Sequence, residues 1–159
     1  MTWRERLADA LPLLGHRNWI VVADSAYPAQ ARSGIETVVA DGGLSEVLEE
    51  VLAQLAAARH VRPVIHLDEE LLFVNEQDAP GALEFRRRLA GLLDSFTIES
   101  LPHERIIERL DEAAQTFRIL VIKTSATIPY TSVFIQLDCG YWSDEAERRL
   151  RAVLAARSD

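Results

Sequence analysis

Residues 15–29 read GHRNWIVVADSAYPA, and the interpretation of this stretch decides the fold. Trp19 to Ala23 is a continuous apolar run of strand length, opened by a Gly-His turn and closed at once by Asp24, Ser25 and Pro28. A run with no polar face is suited to a strand covered on both sides, as inside an α/β sheet. Such folds place their chemistry at strand ends. His16 could exchange a proton near neutral pH, and the Asp24 carboxylate at the mouth of the same strand could orient it or hold a polar ligand.

Working outward, Thr2 with Glu5 has the form of a capping box, and Leu7, Leu11 and Leu14 mark one face of a short helix that Gly15 can terminate. Beyond the Tyr27-Pro28 loop, Glu36 to Ala40 suggests a second strand broken by Asp41-Gly42-Gly43. Leu44, Val47, Leu48, Val51, Leu52 and Leu55 then fall on a helical stripe, with Glu46, Glu49 and Glu50 opposite. Pro63 to Leu67 reads as a strand, Leu71 to Val74 as a short strand or loop, 81–93 as a helix and Phe96 to Leu101 as a strand. Pro102 starts a helix carrying Ile106, Ile107, Leu110 and Ala114. Arg118 to Lys123 and Val133 to Leu137 are two more strands, joined by TSATIPYTS, and Ser143 can cap a last helix through Leu150, Val153 and Leu154. Strands alternating with helices predict an α/β domain, three-layer α/β/α with a mostly parallel or mixed central sheet. Tyr141 and Trp142 read as core aromatics, with an interface position as the alternative.

The chain has 159 residues, enough for one domain with a real core, and a net charge of −8, which argues against a nucleic-acid surface. Arg86, Arg87 and Arg88 follow Glu84 and read as a solvated helix face. Cys139 is the one cysteine, so an internal disulfide and a multi-thiolate metal site are excluded. The first residues lack a signal-peptide pattern and no run has the length of a membrane span, so a cytoplasmic protein is expected. His60 and the pair His66-x-Asp68 could suggest metal ligation, but no HxxxH or HxH spacing supports it. Asp24-Ser25 lacks the glycine pattern of a hydrolase nucleophile elbow. Asp41-Gly42-Gly43 before a helix could bind an anion or simply turn the chain.

GHRNWIVVADSAYPA followed by VVADGGLSEVLEEVL resembles the amino-terminal half of the D-ribose pyranase and L-fucose mutarotase family, whose members open with Gly-His, an apolar strand and an Asp before a Pro-containing loop. PYTSVFI is similar to the family's Tyr-x-Asn segment leading into its last strand, and the likeness spans the chain up to about Cys139. The resemblance implies that His16 is the catalytic acid or base and that Asp24, His103, Tyr130, Thr131 and Ser132 bind a monosaccharide. Ser132 stands where relatives usually carry Asn, and TSAT replaces the Gly-Glu often seen before the tyrosine. A hydroxyl reaches less far than an amide and offers a different hydrogen-bonding set, so different sugar hydroxyls would be held. Read from the residues alone, Gly15-His16 could be a helix stop with a hydrogen-bonded surface histidine, Asp24 a turn residue, His103 a first-turn helix residue, and Tyr130 a turn aromatic with a wet hydroxyl.

The implied chemistry needs neither metal nor cofactor: a proton is taken from one oxygen and given to another, so that the hemiacetal opens and recloses. The resemblance also implies a homo-oligomeric ring, a decamer or octamer, with sites completed at subunit contacts. Residues 1–142 are expected to form the mutarotase domain and 143–159 a C-terminal helix packed on it. A non-catalytic sugar-binding or regulatory protein of the same fold is the alternative, and a structural subunit whose extra helix recruits a partner is a third reading.

Overall fold

Strand β1 (Trp19–Ala23) is buried along its whole length in the computed structural model of the chain, which describes residues 1–157. Its alternation sends Ile20 and Val22 into one core cluster and Trp19, Val21 and Ala23 into another, on opposite sides of the sheet. Strand β5 (Ile119–Lys123) splits in the same way, Leu120 and Ile122 joining the first set and Ile119 and Val121 the second. Helices α1 (Trp3–Ala10), α2 (Leu44–Ala57) and α3 (Ala82–Leu92) cover the Ile20 face, and α4 (His103–Ala114) covers the Trp19 face with Ile106, Leu110 and Ala114. Each large side chain so buried contributes about 1.5–3 kcal/mol, so the two clusters together fix the three layers.

The remaining strands are β2 (Ile35–Val39), β3 (Val61–Asp68), β4 (Ile98–Leu101) and β6 (Val133–Cys139). The six lie in the order β2-β5-β1-β6-β3-β4. Neighbours are parallel except at β6, which runs antiparallel to both β1 and β3. The sheet is therefore mixed, and the last strand, arriving without a crossover helix, enters its middle. This insertion brings the start of β6 beside the ends of β1 and β3.

Local structure departs from the sequence reading at identifiable points. The Thr2–Glu5 capping box forms, but α1 ends at Ala10, ahead of Gly15: Pro12 has no N–H for the helical ladder, and Leu11–Leu13 tightens into a 3-10 turn. Residues 71–74 make no strand, because Glu69–Phe73 is a 3-10 turn that follows β3 directly. Pro102 sits at the cap of α4, one position before the helix begins. Tyr141 and Trp142 are exposed rather than in the core, since the chain has left the sheet once β6 ends at Cys139; the Trp142 indole donates to Glu147 at 2.6 Å.

Ser143 caps α5 (Asp144–Arg157) through the Ala146 N–H at 3.0 Å. None of the described residues of α5 is buried, and its polar links to the domain include an ion pair from Asp144 to Arg62 at 3.0 Å and the bond from Trp142 to Glu147. The expected C-terminal segment includes residues 158 and 159, which lie outside the described residues. No described helix is long and apolar enough to cross a membrane.

Candidate functional site

Three carboxylate and hydroxyl side chains converge where β1, β6 and β3 lie side by side. Asp24 follows β1 directly, Asp68 ends β3, and Ser132 precedes β6. His103 reaches the same place as the first residue of α4, just after β4. They line a cleft of about 440 Å³ together with Tyr27, Gln30, Glu104 and Tyr130. The crevice thus opens at the carboxyl ends of the parallel strands, where the strand order reverses direction.

Ser132 serves Asp24 twice. Its hydroxyl donates to the Asp24 carboxylate at 2.8 Å and accepts the Asp24 backbone N–H at 3.0 Å. The register Val22–Val133 puts the two residues within reach, so the strand pairing itself sets this bond. The serine orients the carboxylate and spends its one proton doing so. Thr131 is buried and donates to the Ile128 carbonyl at 2.7 Å; its side chain braces the turn and does not line the cleft. Tyr130 on that turn has φ of 60°, a left-handed conformation unusual for an aromatic residue, and is 41% exposed. Its ring meets His103 edge-on at 5.8 Å.

The sequence reading gives Asp68 no role at a sugar site, although it closes β3 much as Asp24 follows β1. Its side chain is 1% exposed. Both carboxylate oxygens face His103 Nδ1, at 2.9 and 3.0 Å. Burial pushes the Asp68 pKa up from 3.8 to about 6, against the opposing pull of the His103 hydrogen bond and charge, with Glu70 and Asp24 adding to the rise. The Glu70 carboxylate accepts the His103 backbone N–H at 2.9 Å and so caps α4 from another segment. Burial, with help from Asp111, Asp68 and Asp24, raises the Tyr27 phenol to about 12, leaving it a neutral group on the cleft wall.

His16 is not in this cleft. It projects from the turn that precedes β1, closed by Gly15 N–H to Asn18 Oδ1 at 2.7 Å and by Arg17 in a left-handed conformation. Asp24 follows the opposite end of β1, and the five-residue strand alone spans about 16 Å at ~3.3 Å per residue. The His16 side chain is 57% exposed, with Nδ1 2.7 Å from Asp138. Asp138 is itself held by Arg62 at 2.8 Å and by the Cys139 N–H at 2.8 Å. The same strand that joins the two residues in sequence keeps them apart within one chain.

The other histidines have structural partners. His60 Nε2 lies 3.1 and 3.0 Å from the Leu11 and Leu14 carbonyls. His66 is buried against Trp19, near Glu99 and Arg109, and desolvation lowers its pKa. No group of three metal-ligating side chains is clustered among the described residues. At Asp41-Gly42-Gly43, Gly43 is the N-cap of α2, and the Glu46 carboxylate of the first turn lies against it.

Residues 3–140 match the RbsD / FucU transport protein family. The chain belongs to this family. Among solved structures it is similar to Bacillus subtilis RbsD complexed with D-ribose, at 25% identity, with a TM-score of 0.56 and coverage of 84% of this chain and 91% of that one. It shares its fold with FucU from Bifidobacterium longum (21% identity, TM-score 0.58, 84% and 94% covered). It also shares its fold with the fucose mutarotase of Streptococcus pneumoniae in complex with L-fucose (21% identity, TM-score 0.55, 84% and 91% covered). No curated protein matches the chain. The RbsD / FucU match ends at Gly140, so α5 lies wholly beyond it.

Proposed function

We propose that this RbsD / FucU family member is a cofactor-free isomerase of a neutral monosaccharide, a mutarotase or pyranase that opens and recloses the hemiacetal ring. The observation that carries the reading is the lining of the cleft. Carboxylates, phenols and an imidazole are arrayed there with no lysine or arginine, which suits the hydroxyls of an uncharged sugar and disfavours a phosphorylated one. The ribose bound to the Bacillus subtilis relative supports the same class of ligand and makes ribose the first sugar to test, with fucose next.

In this reading Asp24, oriented by Ser132, and the Tyr130 hydroxyl hold sugar hydroxyls, His103 contacts the sugar, and His16 carries a proton to or from the reacting oxygen. Because His16 stands at the far end of β1 and is exposed, it serves the cleft of a second copy, in keeping with a homo-oligomer whose sites are completed at subunit contacts. Exchange between anomers or ring forms, followed by saturation-transfer NMR over a panel of monosaccharides, tests the activity. His16→Ala and Asp24→Asn should each lose acceleration, and mixing the two inactive variants should restore part of it, because some clefts then receive an intact pair. Failure of every sugar to exchange faster than in buffer refutes the enzyme. The engagement of the Ser132 hydroxyl by Asp24 favours one rival, a sugar binder without turnover, which would bind one sugar in the same panel and leave its exchange rate unchanged.

A further inference from the structure

We infer that Asp68 makes His103 a second proton-transfer group of the cleft, with His103 acting on the sugar through Nε2 and Asp68 acting as its positioning residue. The inference rests on the isomerase reading and adds to it a residue pair supplied by a single chain.

An ionised carboxylate only accepts hydrogen bonds. With both Asp68 oxygens within 3.0 Å of Nδ1, that nitrogen carries the proton, and in the neutral ring the lone pair is then on Nε2, on the edge away from Asp68. The ring is fixed on several sides: Glu70 holds the backbone N–H, Tyr130 meets the ring edge-on, and Phe134 packs at 6.2 Å. A sugar contact alone would not need this. A buried carboxylate is costly, and an apolar residue at position 68 would fill the same space without desolvating a charge. What Asp68 adds is a fixed tautomer and a partner for the imidazolium formed when His103 takes a proton. The titratable groups around Asp68 are His103 on α4, Glu70 in the 3-10 turn, Asp24 after β1, and Tyr27.

The step balances without a co-reactant. Neutral His103 takes the anomeric hydroxyl proton at Nε2 while the imidazolium of His16, from a second copy, gives a proton to the ring oxygen. The ring C–O bond breaks as the carbonyl forms. After rotation about the bond to the carbonyl carbon, a chain hydroxyl attacks it, returning its proton to His16 while His103 protonates the carbonyl oxygen. Both histidines end as they began.

Two variants separate this role from simple binding. His103→Gln keeps a polar group able to hydrogen-bond a sugar and cannot exchange a proton; Asp68→Asn keeps the shape and removes the charge. Each should lower the maximal exchange rate by about 100-fold, the scale of general acid–base catalysis, with KM changed less than about threefold. In parallel, ¹⁵N NMR of the His103 ring should show the Nδ1–H tautomer in the unaltered protein and a mixture in Asp68→Asn, a readout that does not depend on turnover. A raised KM with the maximal rate intact in either variant overturns the inference and leaves the isomerase standing. Absence of any accelerated exchange in the unaltered protein overturns both.

Discussion

Replacing Asp68 with asparagine should change how stability depends on pH, and the structure sets both sign and size. The Asp68 side chain is 1% exposed, and burial raises its pKa from 3.8 to about 6. Below pH 3.8 the carboxyl is protonated whether the chain is folded or not, and it contributes no penalty. As pH rises toward 6 the unfolded chain ionises while the folded chain holds its proton, so the unfolded state gains. Above the folded pKa the loss is complete, at about 3 kcal/mol for a shift of this size. Urea melts of the unaltered protein and Asp68→Asn at matched pH from 4 to 8 isolate the effect, because the other carboxylates are common to both. The stability of the variant relative to the parent should climb across that window and then level off. Thermal melts should follow by roughly 6–12 °C for a chain of this length. On a His103→Gln background the climb should be larger, since the hydrogen bond and charge of His103 hold the Asp68 pKa down. A difference that stays flat between pH 4 and 8 refutes the burial argument.

Ser132→Ala removes both bonds that orient Asp24 and should weaken sugar binding by about tenfold, near 1.5 kcal/mol, with little effect on folding; titration of the active sugar by NMR measures it, and unchanged affinity means that the Ser132–Asp24 contact does not shape the cleft. Deleting residues 143–159 should change the unfolding free energy of the remaining domain by less than about 0.5 kcal/mol, because no described residue of α5 is buried. A larger loss in urea melts would show that the helix carries stability through contacts made outside its own chain. For His16, the mixing experiment with Asp24→Asn gives the decisive outcome, restored exchange from two inactive proteins.

The layers of this fold were legible because they depend on local pattern. The all-apolar run at Trp19–Ala23, the helical stripe from Leu44 to Leu55 and the Thr2–Glu5 cap are written within a few residues and need no long-range information. The 3-10 turns at Leu11–Leu13 and Glu69–Phe73 were harder to read, since such turns carry little periodic signal.

The sequence by itself determined the alternation of strands and helices, the family, and the polar residues that end the apolar strands. Only the tertiary structure decided which of those residues share a site. Insertion of β6 between β1 and β3 brings Ser132 to Asp24 over 108 positions of sequence, and α4 lays His103 on Asp68 across 35. The same geometry separates His16 from Asp24, eight positions apart in the chain. A strand is stiff and extended, so its two ends face opposite edges of the sheet however close they stand in sequence.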